Sequence, residues 1–185
     1  DREKLSENCL WLFSREDEKG HKYSVGFFID KEGHLTPQTH YAFCFFPTKA
    51  VTELNFIIHA PFLLTDSREG IRAGVQHNID MISLLSKLAA DSLVHLKDIG
   101  QSKSVPLIDD NIFDIVPYDS SKFGDVNSKD SISFMPFYTV IKKAFKNEAI
   151  ILSLEHDYVC SAKAYWGGTD NSQLAEVFSN DQLQF

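Results

Sequence analysis

Apolar residues come in short blocks separated by charged turns over the first third of the chain. The blocks CLWLFSRE (9–16), YSVGFFID (23–30) and HYAFCFFP (40–47) predict three strands, joined by the polar turns DEKGHK and KEGH as an antiparallel meander. FCFF is apolar on consecutive positions, which predicts a strand covered on both faces and ended by Pro47. ELNFIIHAPF (53–62) reads as a fourth strand, limited by Pro61 or placed by it at an edge. The period then changes. Ile79, Ile82, Leu85, Ala89 and Leu93 recur at three- and four-residue spacing, with Met81, Leu84 and Leu88 widening the stripe. This predicts a helix over 78–96, capped by Asn78 or Asp80 and ending before Gly100.

Residues 97–131 lose the pattern and are rich in Ser, Asp, Gly and Pro, with a short helix or strand expected near 109–116. SFMPFYTVIKKAF (133–145) predicts a helix with Pro136 in its first turn, where a missing N–H is tolerated. AIILSLEHDYVCSAKAYWG predicts two short strands around a polar turn at Glu155 to Asp157. Gly167-Gly168 ends that pattern, and Asp170 with Gln173 resembles a capping box opening a last helix through Phe178. The expected fold class is α/β (α+β), a mostly antiparallel or mixed sheet with a long helix on one face. A first domain over 1–100, a connecting segment over 101–130 and a small α+β subdomain over 131–185 are expected, with no internal repeat or low-complexity tract.

The 185 residues are 43% hydrophobic and 12% aromatic, with fifteen Phe, which is a packed globular composition. The net charge of −8 argues against a nucleic-acid or anionic-membrane surface, although a local positive spot at Arg68 and Arg72 remains open. Three widely spaced cysteines, Cys9, Cys44 and Cys160, form no metal-binding motif and read as reduced thiols of a cytoplasmic protein. No signal peptide or membrane-length apolar run occurs in the sequence. The first residues, DREKLSEN, and the last, NDQLQF, read as cuts within a longer polypeptide.

Few motifs carry chemistry. Asp109-Asp110-Asn111 lacks the spacing and terminal Glu of a calcium loop and reads as a turn or cap, so no metal site is expected. There is no nucleophile elbow, Cys44 lies in an apolar run that disfavours a thiolate, and the seven histidines are scattered. No glycine-rich phosphate loop is present, so the chain holds no complete nucleotide site of its own. That leaves FLLTDSREGIR (62–72). An arginine stays charged at any working pH, and its planar fork suits phosphate oxygens, including those of a nucleotide held by another domain. Ser67 and Glu69 can orient Arg68, and Gly70 lets the backbone turn tightly. The same stretch also fits a strand-to-helix turn, with Asp66 or Ser67 as cap, Glu69 in the first helical turn and Arg68 merely exposed.

YAFCFFPT, then LNFIIHAPFLLTDSREGIR, then the helix HNIDMISLLSKLAADSL resembles the segment that follows the ATP-binding domain in sacsin-like proteins with a ninety-kilodalton heat-shock chaperone type (GHKL) ATPase domain. The chaperones carry a comparable Ser-Arg-Glu loop in their middle domain, whose arginine reaches the terminal phosphate of ATP. Ser67-Arg68-Glu69 matches that loop, with Thr65-Asp66 where the family has its Asn and a hydrophobic residue. Pro47-Thr48-Lys49 is similar to the Pro-Thr-Lys of related mismatch-repair ATPases, whose lysine contacts the same phosphate, and DYVCSAKAYWGGTDNSQLAEVFSNDQL resembles the later part of sacsin-like repeats.

The resemblance implies a middle or transducer domain like domain two of ribosomal protein S5. ATP and Mg2+ would be held by an adjacent ATP-binding domain of the same polypeptide carrying a Glu-x-x-x-Asn helix and the Asp-x-Gly-x-Gly turn, the second of which this chain lacks. Arg68 would contact the phosphate from outside that domain, with Ser67 and Glu69 orienting it and Lys49 as a second contact. On this reading the chain alone does not hydrolyse ATP, and protein clients are possible partners of the whole. The alternative from composition is a protein-interaction module with no nucleotide role, its docking surface built from the Phe-rich strands and the 97–131 connection. An independent hydrolase ranks last.

Overall fold

The computed structural model describes residues 9–105, 107–124, 131–153 and 156–164. The expectations at Gly167-Gly168, at the Asp170/Gln173 capping box and along most of the sacsin-like tail lie outside them. Strands β1 (Cys9–Glu16) and β2 (Lys22–Ile29) form the first hairpin, in register from Cys9↔Ile29 to Glu16↔Lys22. Asp17 closes its turn by accepting the N–H groups of Lys19 and His21 at 2.9 and 2.8 Å and the His21 ring at 2.9 Å. Burial raises the pKa of this carboxyl, but those hydrogen bonds to its charged form outweigh it and hold the group down at about 2.

The remaining strands of the large sheet are β3 (Leu35–Thr36), β4 (Tyr41–Cys44), β5 (Phe46–Val51) and β6 (Ile57–His59). The order is β1-β2-β6-β4-β5, with β3 also on β2. Every pairing is antiparallel except β4 with β6, so the sheet is mixed.

Two strand expectations change. The block at 40–47 is broken rather than continuous. Phe45 takes a left-handed backbone (φ 62°), Cys44 pairs with Phe46 across it, and the chain reverses into β5. FCFF is therefore apolar at an exposed hairpin tip, not between two layers: Phe45 and Phe46 are 76% and 80% exposed. The fourth block shortens to Ile57–His59 and lies centrally, Val25↔Ile58 on one side and Phe43↔His59 on the other. Pro61 falls after it, where the missing N–H breaks no ladder.

Helix α1 (Gln76–Lys103) covers one face of the sheet. Met81, Ile82, Leu85, Ala89, Leu93 and Leu96 are buried against Val25, Phe27 and Ile58 of the sheet core, whereas Ile79 is 47% exposed and leaves the stripe. The helix starts earlier than the spacing predicts, with Val75 as N-cap, and runs beyond Gly100 to a left-handed Ser104. Gly100 is no breaker. A Cβ there would lie 2.6 Å from the Val105 carbonyl oxygen, so the missing side chain is what lets the following segment fold back against the helix.

The rest of the chain is helix α2 (Ile112–Ile115), a 3-10 turn at Ser120–Phe123, helix α3 (Met135–Asn147) with Pro136 in its first turn, and the hairpin of β7 (Ile151–Leu152) and β8 (Tyr158–Val159). These parts share the first core. Phe137 of α3 packs its ring 5.9 Å from Phe56, and the Tyr158 hydroxyl donates to the Ile108 carbonyl at 2.6 Å. Asp109 accepts from the Asn111 N–H at 2.9 Å and pairs with His34 at 2.7 Å, tying the β2–β3 turn to the segment before α2. The architecture is α+β, a mixed sheet with a long helix on one face.

Gly100→Ala should destabilise the protein by about 1–3 kcal/mol, although alanine is the better helix former, because the clashing atom is backbone and cannot rotate away; denaturant unfolding measures it. The hydrogen bond to Asp109 raises the pKa of His34 above its ordinary 6.5, with burial opposing and nearby carboxylates assisting. A raised histidine value contributes stability that is complete below the ordinary value and fades as pH climbs through the raised one. The melting temperature should therefore fall as pH rises above the ordinary histidine value, and fall less in His34→Gln. The effect is small because the ring is 40% exposed.

Candidate functional site

The stretch 62–72 is a short hairpin and not the start of a helix. Leu64 bridges Ile71 in antiparallel fashion, Arg72 N–H donates to Leu63 at 2.9 Å, and Thr65 N–H donates to Gly70 at 2.8 Å. Asp66, Ser67, Arg68 and Glu69 form its tip, and α1 begins only at Gln76. Arg68 takes a left-handed backbone (φ 60°), which its own N–H stabilises by donating to Thr65 at 2.8 Å.

What holds this hairpin is Asn78, on the first turns of α1 and fully buried. Its amide oxygen accepts the Leu63 N–H at 2.8 Å, and its amide nitrogen donates to the carbonyls of Leu63 and Arg72, each at 2.8 Å. One side chain thereby clamps both strands of the hairpin. Sequence spacing marked Asn78 as a helix cap; its position one turn after a turn-rich segment was the available signal, but a buried amide bridging two strands has no sequence signature. His77 adds a second tie, its ring Nε2 donating to the Pro61 carbonyl at 2.9 Å.

Each predicted residue has a defined place. Glu69 accepts the Lys49 N–H through its backbone at 2.5 Å and pairs with the Lys49 ammonium at 2.7 Å, which fastens the tip to β5. Ser67 shares a hydrogen bond with Thr65 at 3.1 Å. Asp66 pairs with Arg72 at 2.8 Å. Among the described residues, the exposed Arg68 guanidinium makes no hydrogen bond or ion pair, with Ser67 and Glu69 engaged elsewhere. The structure thus joins Lys49 to Glu69 and leaves Arg68 available.

The tip at Arg68 faces the β4–β5 tip across an open cleft of about 570 Å3, lined by Phe45, Phe46, Leu64, Thr65 and Asp66 as well as Arg68. Its groups suit binding and not covalent chemistry. Cys44 donates its thiol to the Phe62 carbonyl at 3.3 Å, and burial raises its pKa, so it stays protonated at neutral pH. Burial lowers the pKa of His59, whose ring lies 5.8 Å from Phe45, so it stays neutral there. Among the residues that line this cleft, Arg68 is the one charged side chain without an ionic partner, an anion-binding group beside two exposed rings. Among the described residues, no helix is long and apolar enough to cross a membrane.

Asn78→Ala takes the amide partner from the Leu63 N–H and the Arg72 carbonyl, while the Leu63 carbonyl keeps the Arg72 N–H, and should cost about 2–4 kcal/mol. Hydrogen exchange should rise at Leu63 and Arg72 before it rises in β2, while a global loss with no local opening would contradict the clamp. No protein-family model, curated protein or solved structure matches the chain, so its functional reading rests on this geometry and on the sequence.

Proposed function

We propose that this chain is the coupling domain of a chaperone-like ATPase, supplying Arg68 to the terminal phosphate of ATP bound, with Mg2+, in a preceding domain. On this reading the mixed sheet and long helix form a transducer domain like domain two of ribosomal protein S5. The observation that carries the reading is an arginine without a partner on a tip that α1 and β5 hold from two sides. Placement of that kind costs backbone strain and leaves the guanidinium free for a ligand. The nucleotide state would then become a domain rearrangement through contacts that exist only when the phosphate is present. Lys49, already paired with Glu69, positions the tip in this account and would reach the phosphate only by leaving that pair.

A second reading, a protein-interaction module with no nucleotide role, draws on the exposure of Phe45 and Phe46, since adjacent exposed rings mark contact surfaces.

Arg68→Ala in the polypeptide that carries both domains should lower ATP turnover by about a hundredfold with nucleotide affinity little changed, the pattern of a contact made in the transition state. Turnover equal to wild type rules the coupling role out. Glu69→Gln, which breaks the ion pair with Lys49 and leaves the Arg68 charge in place, should lower turnover by less.

A further inference from the structure

The cleft between the two hairpin tips combines features that stability does not account for. Phe45 and Phe46 are the most exposed large apolar side chains among the described residues, at 76% and 80%. Phe45 holds a left-handed backbone, which a bulky residue adopts at a cost. Arg68 does the same on the opposing tip. Both strained residues line one cavity, and neither is buried in return.

The charges select the occupant. Around the cleft Lys49 is paired with Glu69 and Arg72 with Asp66, so both carboxylates near Arg68 are already neutralised. Arg68 leaves a single positive charge there, on a chain whose net charge is −8. That is enough for one carboxylate and too little for the polyanionic face of a nucleic acid or an acidic membrane, which the rest of the surface repels. The backbone beside the cleft is unavailable for adding a strand: Pro47 has no N–H, and the Lys49 N–H already donates to Glu69. Recognition must therefore run through side chains, an apolar group on the rings and a carboxylate on the guanidinium.

We propose that this cleft docks an extended protein segment in which an apolar residue adjoins an Asp or Glu, the apolar side chain packing on Phe45 and Phe46 and the carboxylate held by Arg68. The proposal rests on the interaction-module reading of the cleft and names its partner. It requires no nucleotide.

The test is an NMR titration of the 185-residue chain with the peptide acetyl-Gly-Leu-Phe-Asp-Gly-amide, beside its Asn-for-Asp and Ser-Ser-for-Leu-Phe counterparts. The expected result is amide shifts confined to Phe45, Phe46 and residues 64–70, with each counterpart binding about tenfold more weakly or worse, the size of one charge-assisted hydrogen bond or one buried ring contact. Arg68→Gln and Phe46→Ser should each weaken the first peptide by about tenfold. Arg15→Gln, a cation on β1 at the opposite edge of the sheet, should not. All three residues are exposed, and matching melting curves establish that the variants stay folded. Equal binding of the Asp and Asn peptides overturns the proposal while leaving an apolar docking surface. No shifts at the two tips with any peptide at millimolar concentration overturns both the proposal and the interaction-module reading. Neither outcome bears on ATP turnover, which contains no peptide.

Discussion

The amide of Asn78 is the interaction on which the functional end of the molecule depends. It is buried in the first turns of α1, and it meets three backbone groups from the two strands of the 62–72 hairpin. An amide side chain carries both a donor and an acceptor, so one residue can close a strand pair that is too short to close itself. The hairpin has a single ladder bridge, Leu64 to Ile71, and a two-stranded piece of that size is not stable alone in water. Removing the amide leaves the hairpin with its own few backbone hydrogen bonds, the His77 tie to Pro61 and, at the tip, one backbone hydrogen bond beside the exposed Lys49–Glu69 pair. The position of Arg68 is thus set by the core of the domain, through a helix that packs on the sheet, and not by the loop that carries it.

That dependence explains how charge is arranged around the tip. Lys49, Asp66, Glu69 and Arg72 lie close together, and these four ionic side chains around Arg68 are consumed in two pairs. Those pairs contribute little stability, being exposed and screened, but they spend the local carboxylates. Glu69, the immediate neighbour of Arg68, is held from the β5 side by Lys49, through a backbone hydrogen bond beside the ion pair. The residue read from sequence as a possible second phosphate contact therefore has a structural effect on the first.

Much of the scaffold was legible because its periods are clean. The β1–β2 hairpin, the α1 stripe and Pro136 at the start of α3 follow from spacing and turn chemistry alone. The misreadings have specific causes. FCFF reads as a strand covered on both faces because periodicity cannot tell double burial from an exposed apolar tip. Gly100 reads as a helix end, since nothing local shows that the Val105 carbonyl approaches it. The loop at Arg68 fitted either a helix start or a presented tip; deciding between them required Leu64 opposite Ile71, a contact whose partner residues are both ordinary strand formers. Of the site residues, the sequence marked Arg68, Glu69 and Lys49 individually, but their pairing, and the part played by Asn78 and the two phenylalanines, belong to tertiary placement.

Strain at the two tips argues that the cleft is kept for a ligand of some kind. Phe45 and Arg68 each sit in the left-handed region, at about 1–3 kcal/mol apiece, and glycine or asparagine would take either position at less cost. Neither side chain recovers that energy through burial: Phe45 is 76% exposed, with one ring contact to His59, and Arg68 has no ionic partner among the described residues. A ring and a guanidinium held over the same cavity, by different hairpins and against local preference, make sense if the energy returns on binding, when the ring is covered and the charge meets an anion. Phosphate and carboxylate both satisfy that condition at Arg68, but only a ligand with an apolar part repays the strain at Phe45, so the two tips together constrain the occupant more tightly than the arginine does by itself.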